Sequence, residues 1–214
     1  MNNNLSDVEQ RVKRYWYTDG IGELIGGGMF VLMGIYFALQ ELLGRNSMAG
    51  GILQASFALL IIAGVFVSRW LINSLKTRLT YPRTGYVEYQ VNERGMRWRR
   101  ILAVILGFVI AALTTVFVRL FQFFDSVVAV TGLIIAIILV VLQAKSSGLA
   151  RFYVLGAASL MLGFGLSLSG LPEGYSLGLF YGMMGVCSFI SGGLTLRHYL
   201  KENPLPVDVE RQNG

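Results

Sequence analysis

Six apolar runs, at about 21–43, 49–72, 101–123, 127–144, 149–169 and 176–197, constrain this chain more than any other feature. An α-helix needs ~20 apolar residues to cross a hydrocarbon core about 30 Å thick, because each residue advances it by about 1.5 Å. All six runs reach or approach that length. Lipid offers no hydrogen-bond partners, so the backbone must satisfy itself within each run. Unbroken runs of this length also exclude a barrel, whose strands alternate over roughly ten residues. The expected fold is an all-α membrane protein. It is a six-transmembrane-helix bundle with both termini cytoplasmic, a short amphipathic N-terminal helix and a cytoplasmic β-hairpin between spans two and three.

Composition agrees with a lipid solvent. Charged residues make up 14% of the chain, where a soluble domain carries roughly a quarter. The net charge of +6 sits mainly beside the apolar runs, so anionic lipid headgroups, not nucleic acid, are the expected partner. Cys187 stands alone within an apolar run, which leaves neither a disulfide nor a cysteine-based metal site. The first nineteen residues lack the apolar core of a secretory signal, so the first span is expected to act as its own insertion signal.

Orientation follows from Lys and Arg, which are retained on the cytoplasmic side. They gather before the first run (Arg11, Lys13, Arg14), between the second and third, at Lys145 and Arg151, and in the tail. The alternate connections hold Arg45 and Arg119. The chain accordingly divides into an amphipathic segment 1–20, a helical hairpin 21–72, a basic loop 73–100, hairpins 101–144 and 145–197, and a tail 198–214. In the first segment Leu5, Val8, Val12, Tyr15 and Trp16 share a helical face, and Ser6 with Glu9 fits a capping box. Shifting the chain by 129 residues lays Gly27 and Gly34 on Gly156 and Gly163, which suits either a repeated hairpin or chance alignment of glycine-rich helices.

The basic loop is the densest cluster of Lys and Arg. Pro82 disfavours helical geometry at Tyr81 and is expected to end the second helix there. Beyond it, Tyr86–Val91 and Met96–Arg99 alternate in strand fashion around the turn residues Asn92–Gly95, which predicts the hairpin. Arg83, Arg94, Arg97, Arg99 and Arg100, with Trp98 among them, suit phosphate headgroups or a protein partner, or serve only to orient the chain.

Small residues recur at helical spacing, including Gly22 with Gly26, Gly156 with Gly163, and Gly178, Gly182 and Gly185. Such stripes let helix backbones approach closely, within one bundle or between copies in a homo-oligomer. Glu23, Glu41 and Arg119 lie near span ends and read as interfacial anchors, with a Glu41–Arg119 pairing open near the outer surface. No metalloprotease, nucleophile-elbow or phosphate-loop motif occurs, and no catalytic residue, metal or cofactor is expected.

Three segments, RYWYTDG before the first run, LTYPRTGYV after the second and RHYLKENP after the last, resemble a group of prokaryotic multi-span membrane proteins. The resemblance implies residence in the inner membrane and brings no assigned activity, catalytic residue or cofactor. The sequence therefore points to a non-enzymatic membrane protein whose basic cytoplasmic face engages anionic lipid or a protein partner. The alternative is a small transporter or lipid-handling subunit.

Overall fold

The computed structural model describes residues 17–44, 47–84 and 126–204, and these are all-helical. Five principal helices occur among them: α1 (Ile21–Leu43), α2 (Met48–Leu75), α3 (Val127–Ile137), α4 (Arg151–Ser167) and α5 (Glu173–Glu202). α2 continues through a π-helical turn, Lys76–Thr80, into Tyr81–Thr84, and α3 through a π-helical stretch, Ile138–Ala144, into Lys145–Ser147.

This corrects the expectation of six spans with a β-hairpin. Four stretches, Ile21–Leu43, Met48–Arg83, Val127–Ala144 and Glu173–Glu202, are long and apolar enough to cross a membrane, and no strand occurs among the described residues. The run at 149–169 yields a helix of only 17 residues, about 26 Å long. Gly148 (φ 68°) turns the chain before α4 and Gly170 (φ 68°) after it, so apolar residues that extend the hydropathy signal lie in turns. The amphipathic segment before Tyr17, the hairpin at 86–99 and the run at 101–123 fall outside the described residues.

Pro82 does not end the second helix, which is a further correction. Tyr81 keeps helical geometry (φ −63°, ψ −36°), and its N–H bonds to the carbonyl of Lys76, five residues back. A proline inside an α-helix collides with the carbonyl four residues earlier. The wider π turn just before it relaxes that conflict.

α1 and α5 run antiparallel in backbone contact along their length. A Cβ on Gly27 would lie 2.9 Å from the carbonyl oxygen of Gly185, and one on Gly34 would lie 2.8 Å from that of Gly178. Gly192 repeats the arrangement against the carbonyl of Gly20, at 2.8 Å. The contacting glycines recur every seven residues on both helices, the period that keeps one stripe on a partner crossing at a shallow angle. α3 and α4 form a second pair of the same kind, in which Gly132 meets Gly163 and Ser159 donates to the carbonyl of Gly132 at 2.9 Å. Phe152, Phe180, Met184 and Val128 bury themselves where the two pairs join.

α2 is held to α1 chiefly by aromatic contacts, with Phe57 4.9 Å from Tyr36 between ring centroids. Much of the rest of its surface is apolar and bare: Leu59 is 69% exposed, Phe66 69% and Trp70 68%, with Gln54, Arg69 and Asn73 its exposed polar side chains. In water such a face would be a large association-prone patch, whereas among acyl chains it needs no cover.

Candidate functional site

At one end of the bundle four chain segments meet around two buried acids. They are the turn Tyr17–Gly20, the π turn of α2, the start of α4 and the last third of α5. Gly20 takes φ 71°, a left-handed conformation that favours glycine, and lets the chain reverse into α1. That turn sets Asp19 inward, where it is 1% exposed. Its Oδ1 accepts from the N–H of Ile21 at 3.2 Å, satisfying one of the free amides at the start of α1. Its Oδ2 lies 3.1 Å from Lys76 Nζ and accepts from Thr80 Oγ1 at 3.3 Å. Lys76 and Thr80 are both 3% exposed, and the π turn presents both to the same carboxylate.

One turn further along α1, Glu23 faces α4 and α5. Its Oε1 lies 2.5 Å from Arg151 Nε, and its Oε2 accepts from Ser191 Oγ at 2.6 Å. The guanidinium of Arg151 also donates from Nη1 to Thr195 Oγ1 at 3.0 Å and from Nη2 to the carbonyl of Tyr17. Arg83 completes the end of the bundle. Its Nη1 donates to the carbonyl of Asn203 at 2.7 Å and to that of Leu200 at 3.4 Å, so a cation supplies partners for the carbonyls that α5 leaves open at its terminus.

Each buried acid thus faces a cation from a different helix, the condition under which charge near a hydrocarbon core is tolerated. Chemically the arrangement is a tie, in which one ion pair joins the α1 turn to α2 and the other joins α1 to α4 and α5. Among the described residues no group of three or more His, Cys, Asp or Glu is placed to hold a metal ion.

Of the residues singled out in the sequence, Arg83 is engaged as described, while Arg94, Arg97, Trp98, Arg99, Arg100 and Arg119 lie outside the described residues. Glu41 packs its side chain against Gly174 at the opposite end. Gly163, Gly178 and Gly185 approach neighbouring backbone, and Gly156 approaches Val140. The backbone nitrogen of Gly182 lies 2.8 Å from where a Cβ on Gly34 would stand, yet its own Cβ direction meets nothing within 4 Å and opens on an apolar groove beside Val31, Ile35 and Tyr175. Gly22 and Gly26 also point into open space.

Sequence reasoning missed the buried roles of Asp19, Glu23, Lys76 and Arg151. A signal was present in the three quoted segments. Asp19 of RYWYTDG bonds to Thr80 of LTYPRTGYV, and Arg83 of LTYPRTGYV bonds to Leu200 and Asn203 of RHYLKENP. No family model, no curated protein and no solved structure matches the chain.

Proposed function

We propose that this chain is an integral membrane protein of the prokaryotic inner membrane, with the network end at the cytoplasmic face. In this reading its role is to bind and not to catalyse, and its basic face engages anionic lipid headgroups or a protein partner. The observation that carries the reading is the segregation of charge. Arg78, Lys145, Arg197 and Lys201 are exposed at the network end beside one exposed acid, Glu202, while the described charged residues of the opposite end are Glu41 and Glu173. Retention of Lys and Arg on the cytoplasmic side accounts for that asymmetry, and exposed cations beside an anionic leaflet attract its headgroups. The three quoted segments, which share this end, support the inner-membrane assignment. A transporter would need a polar route between helices. The backbone contact of α1 with α5, from Gly20 and Gly192 to Gly34 and Gly178, supports the binding role instead.

Orientation is tested by single cysteines in a Cys187→Ser background. Met48→Cys, 86% exposed at the opposite end, is expected to react with an impermeant maleimide on intact cells. Asn92→Cys is expected to react only after permeabilisation. The reverse pattern would invert the bundle.

Lipid engagement is tested by Arg94→Gln with Arg97→Gln, which leaves Arg99 and Arg100 to hold orientation. Each basic residue near an anionic surface contributes about 1 kcal/mol, an upper bound where charges share lipids and salt screens them. Retention of phosphatidylglycerol by the purified variant is expected to fall several-fold and to weaken with ionic strength. Unchanged retention would move the role of the basic face to a protein contact.

A further inference from the structure

Beside the Glu23–Arg151 pair, a cleft of about 360 Å³ opens between the last turns of α5 and the start of α4. Its α5 wall is graded along the helix axis. Leu194 stands lowest, toward the apolar part of the bundle, followed by Thr195, His198 and, outermost, Glu202, with Leu149 and Arg151 forming the facing wall. From Leu194 to Glu202 the axis rises about 12 Å, so the cleft passes from apolar to hydroxyl and guanidinium and then to carboxylate.

A guanidinium carries five N–H donors. Among the described residues Arg151 donates once from Nη1, to Thr195, and once from Nη2, to Tyr17, while its Nε lies beside Glu23 Oε1 as an ion pair and not a hydrogen bond, so the guanidinium that lines the cleft keeps N–H groups beyond these two for an oxygen there. Glu202 is met by His198 Nε2 at 3.0 Å, an exposed pair on one helix face that a stronger cation displaces at little cost. The cleft therefore offers donors to a phosphate at mid-height and an acceptor carboxylate above it, over an apolar floor.

We propose that this cleft seats the headgroup of a phospholipid bearing a primary ammonium, of the phosphatidylethanolamine type. The phosphate lies against Arg151, the ammonium against Glu202, and an acyl chain leaves past Leu194. An ethanolamine ammonium donates hydrogen bonds to the carboxylate. A choline group has no N–H to donate, and a glycerol headgroup brings no positive charge. The proposal rests on the membrane reading above but selects a different lipid from the one expected on the rest of the basic cytoplasmic face.

The test uses the full chain purified from vesicles of equal phosphatidylethanolamine, phosphatidylcholine and phosphatidylglycerol, with retained lipid counted by native mass spectrometry. Phosphatidylethanolamine is expected to exceed phosphatidylcholine about tenfold, the order set by one charge-assisted hydrogen bond. Glu202→Gln should bring that ratio close to one while thermal unfolding is unchanged, because the side chain is 63% exposed. Lys201→Gln, a neighbour outside the cleft, should leave the ratio intact. Equal retention of the two lipids by the parent, or an unchanged ratio in Glu202→Gln, would overturn the assignment. Abolition of the ratio by millimolar glycerophosphoethanolamine would assign the cleft to a soluble ligand and overturn it too, whereas persistence supports a lipid. Failure of the basic-face reading is separable, since Arg94→Gln with Arg97→Gln changes phosphatidylglycerol and not this ratio.

Discussion

Arg151→Met is expected to lower the melting temperature of the purified protein in detergent by on the order of 10 °C. The side chain of Glu23 is 6% exposed, and Arg151 is the cation that faces it. Removing one partner of a buried pair typically costs about 3–5 kcal/mol, because the remaining charge keeps its desolvation penalty without its counterion. Two further interactions go with the guanidinium, those to Thr195 and to the Tyr17 carbonyl, so the loss also unties α4 from the turn before α1. Met preserves most of the side-chain volume and isolates the charge. Glu23→Gln combined with Arg151→Met should recover at least half of the loss, since neither charge then remains buried. The measurement is a double-mutant cycle read by thermal unfolding. If the single variant melts within a degree or two of the parent, or the two substitutions simply add, the pair does not hold the bundle end together.

Gly27→Leu should destabilise strongly while its neighbour Gly26→Leu is neutral or mildly stabilising. At Gly27 the first added carbon already stands 2.9 Å from the carbonyl oxygen of Gly185 and 3.0 Å from the backbone nitrogen of Phe189, so no rotamer change relieves it. α1 and α5 must move apart, which gives up the backbone contacts that run from Gly20 to Gly34. Overpacking of this kind typically costs about 1–3 kcal/mol per inserted group, and a whole leucine side chain lies at or beyond the upper end. At Gly26 a Cβ meets nothing within 4 Å. There the substitution removes a residue about 1 kcal/mol poorer than Ala in a helix interior. Thermal unfolding of the two variants side by side decides the matter, and equal stabilities would remove the argument that these glycines set the α1–α5 distance.

The same two residues show where sequence reading stopped. Gly26 and Gly27 are adjacent in an apolar run, and a four-residue spacing drew attention to Gly22 with Gly26. The glycines in contact are Gly20, Gly27 and Gly34, whose seven-residue period matches that of Gly178, Gly185 and Gly192. Either spacing places residues on one face, and which face meets a partner depends on a helix more than 130 residues away in the chain. Gly182 was legible as part of a small-residue stripe for the same reason, while the open direction of its Cβ depends on where α5 lies relative to α1.

What the sequence by itself determined is the helical class, together with the approximate limits of the apolar segments among the described residues. Those follow from local causes: runs of apolar residues near bilayer length, few charges within them, and backbone groups that must bond within their own segment. Helix ends were less legible, because hydropathy does not distinguish an apolar helix from an apolar turn, as Leu168 to Pro172 show, and because a π turn carries α2 past Pro82. Only the tertiary structure decided the roles of Asp19, Glu23, Lys76 and Arg151. Read along the chain, each is a charged residue close to the end of an apolar run. They become a network only when α1, α2, α4 and α5 place their ends together, since an ion pair between residues 57 or 128 positions apart leaves no periodic trace in either partner's surroundings.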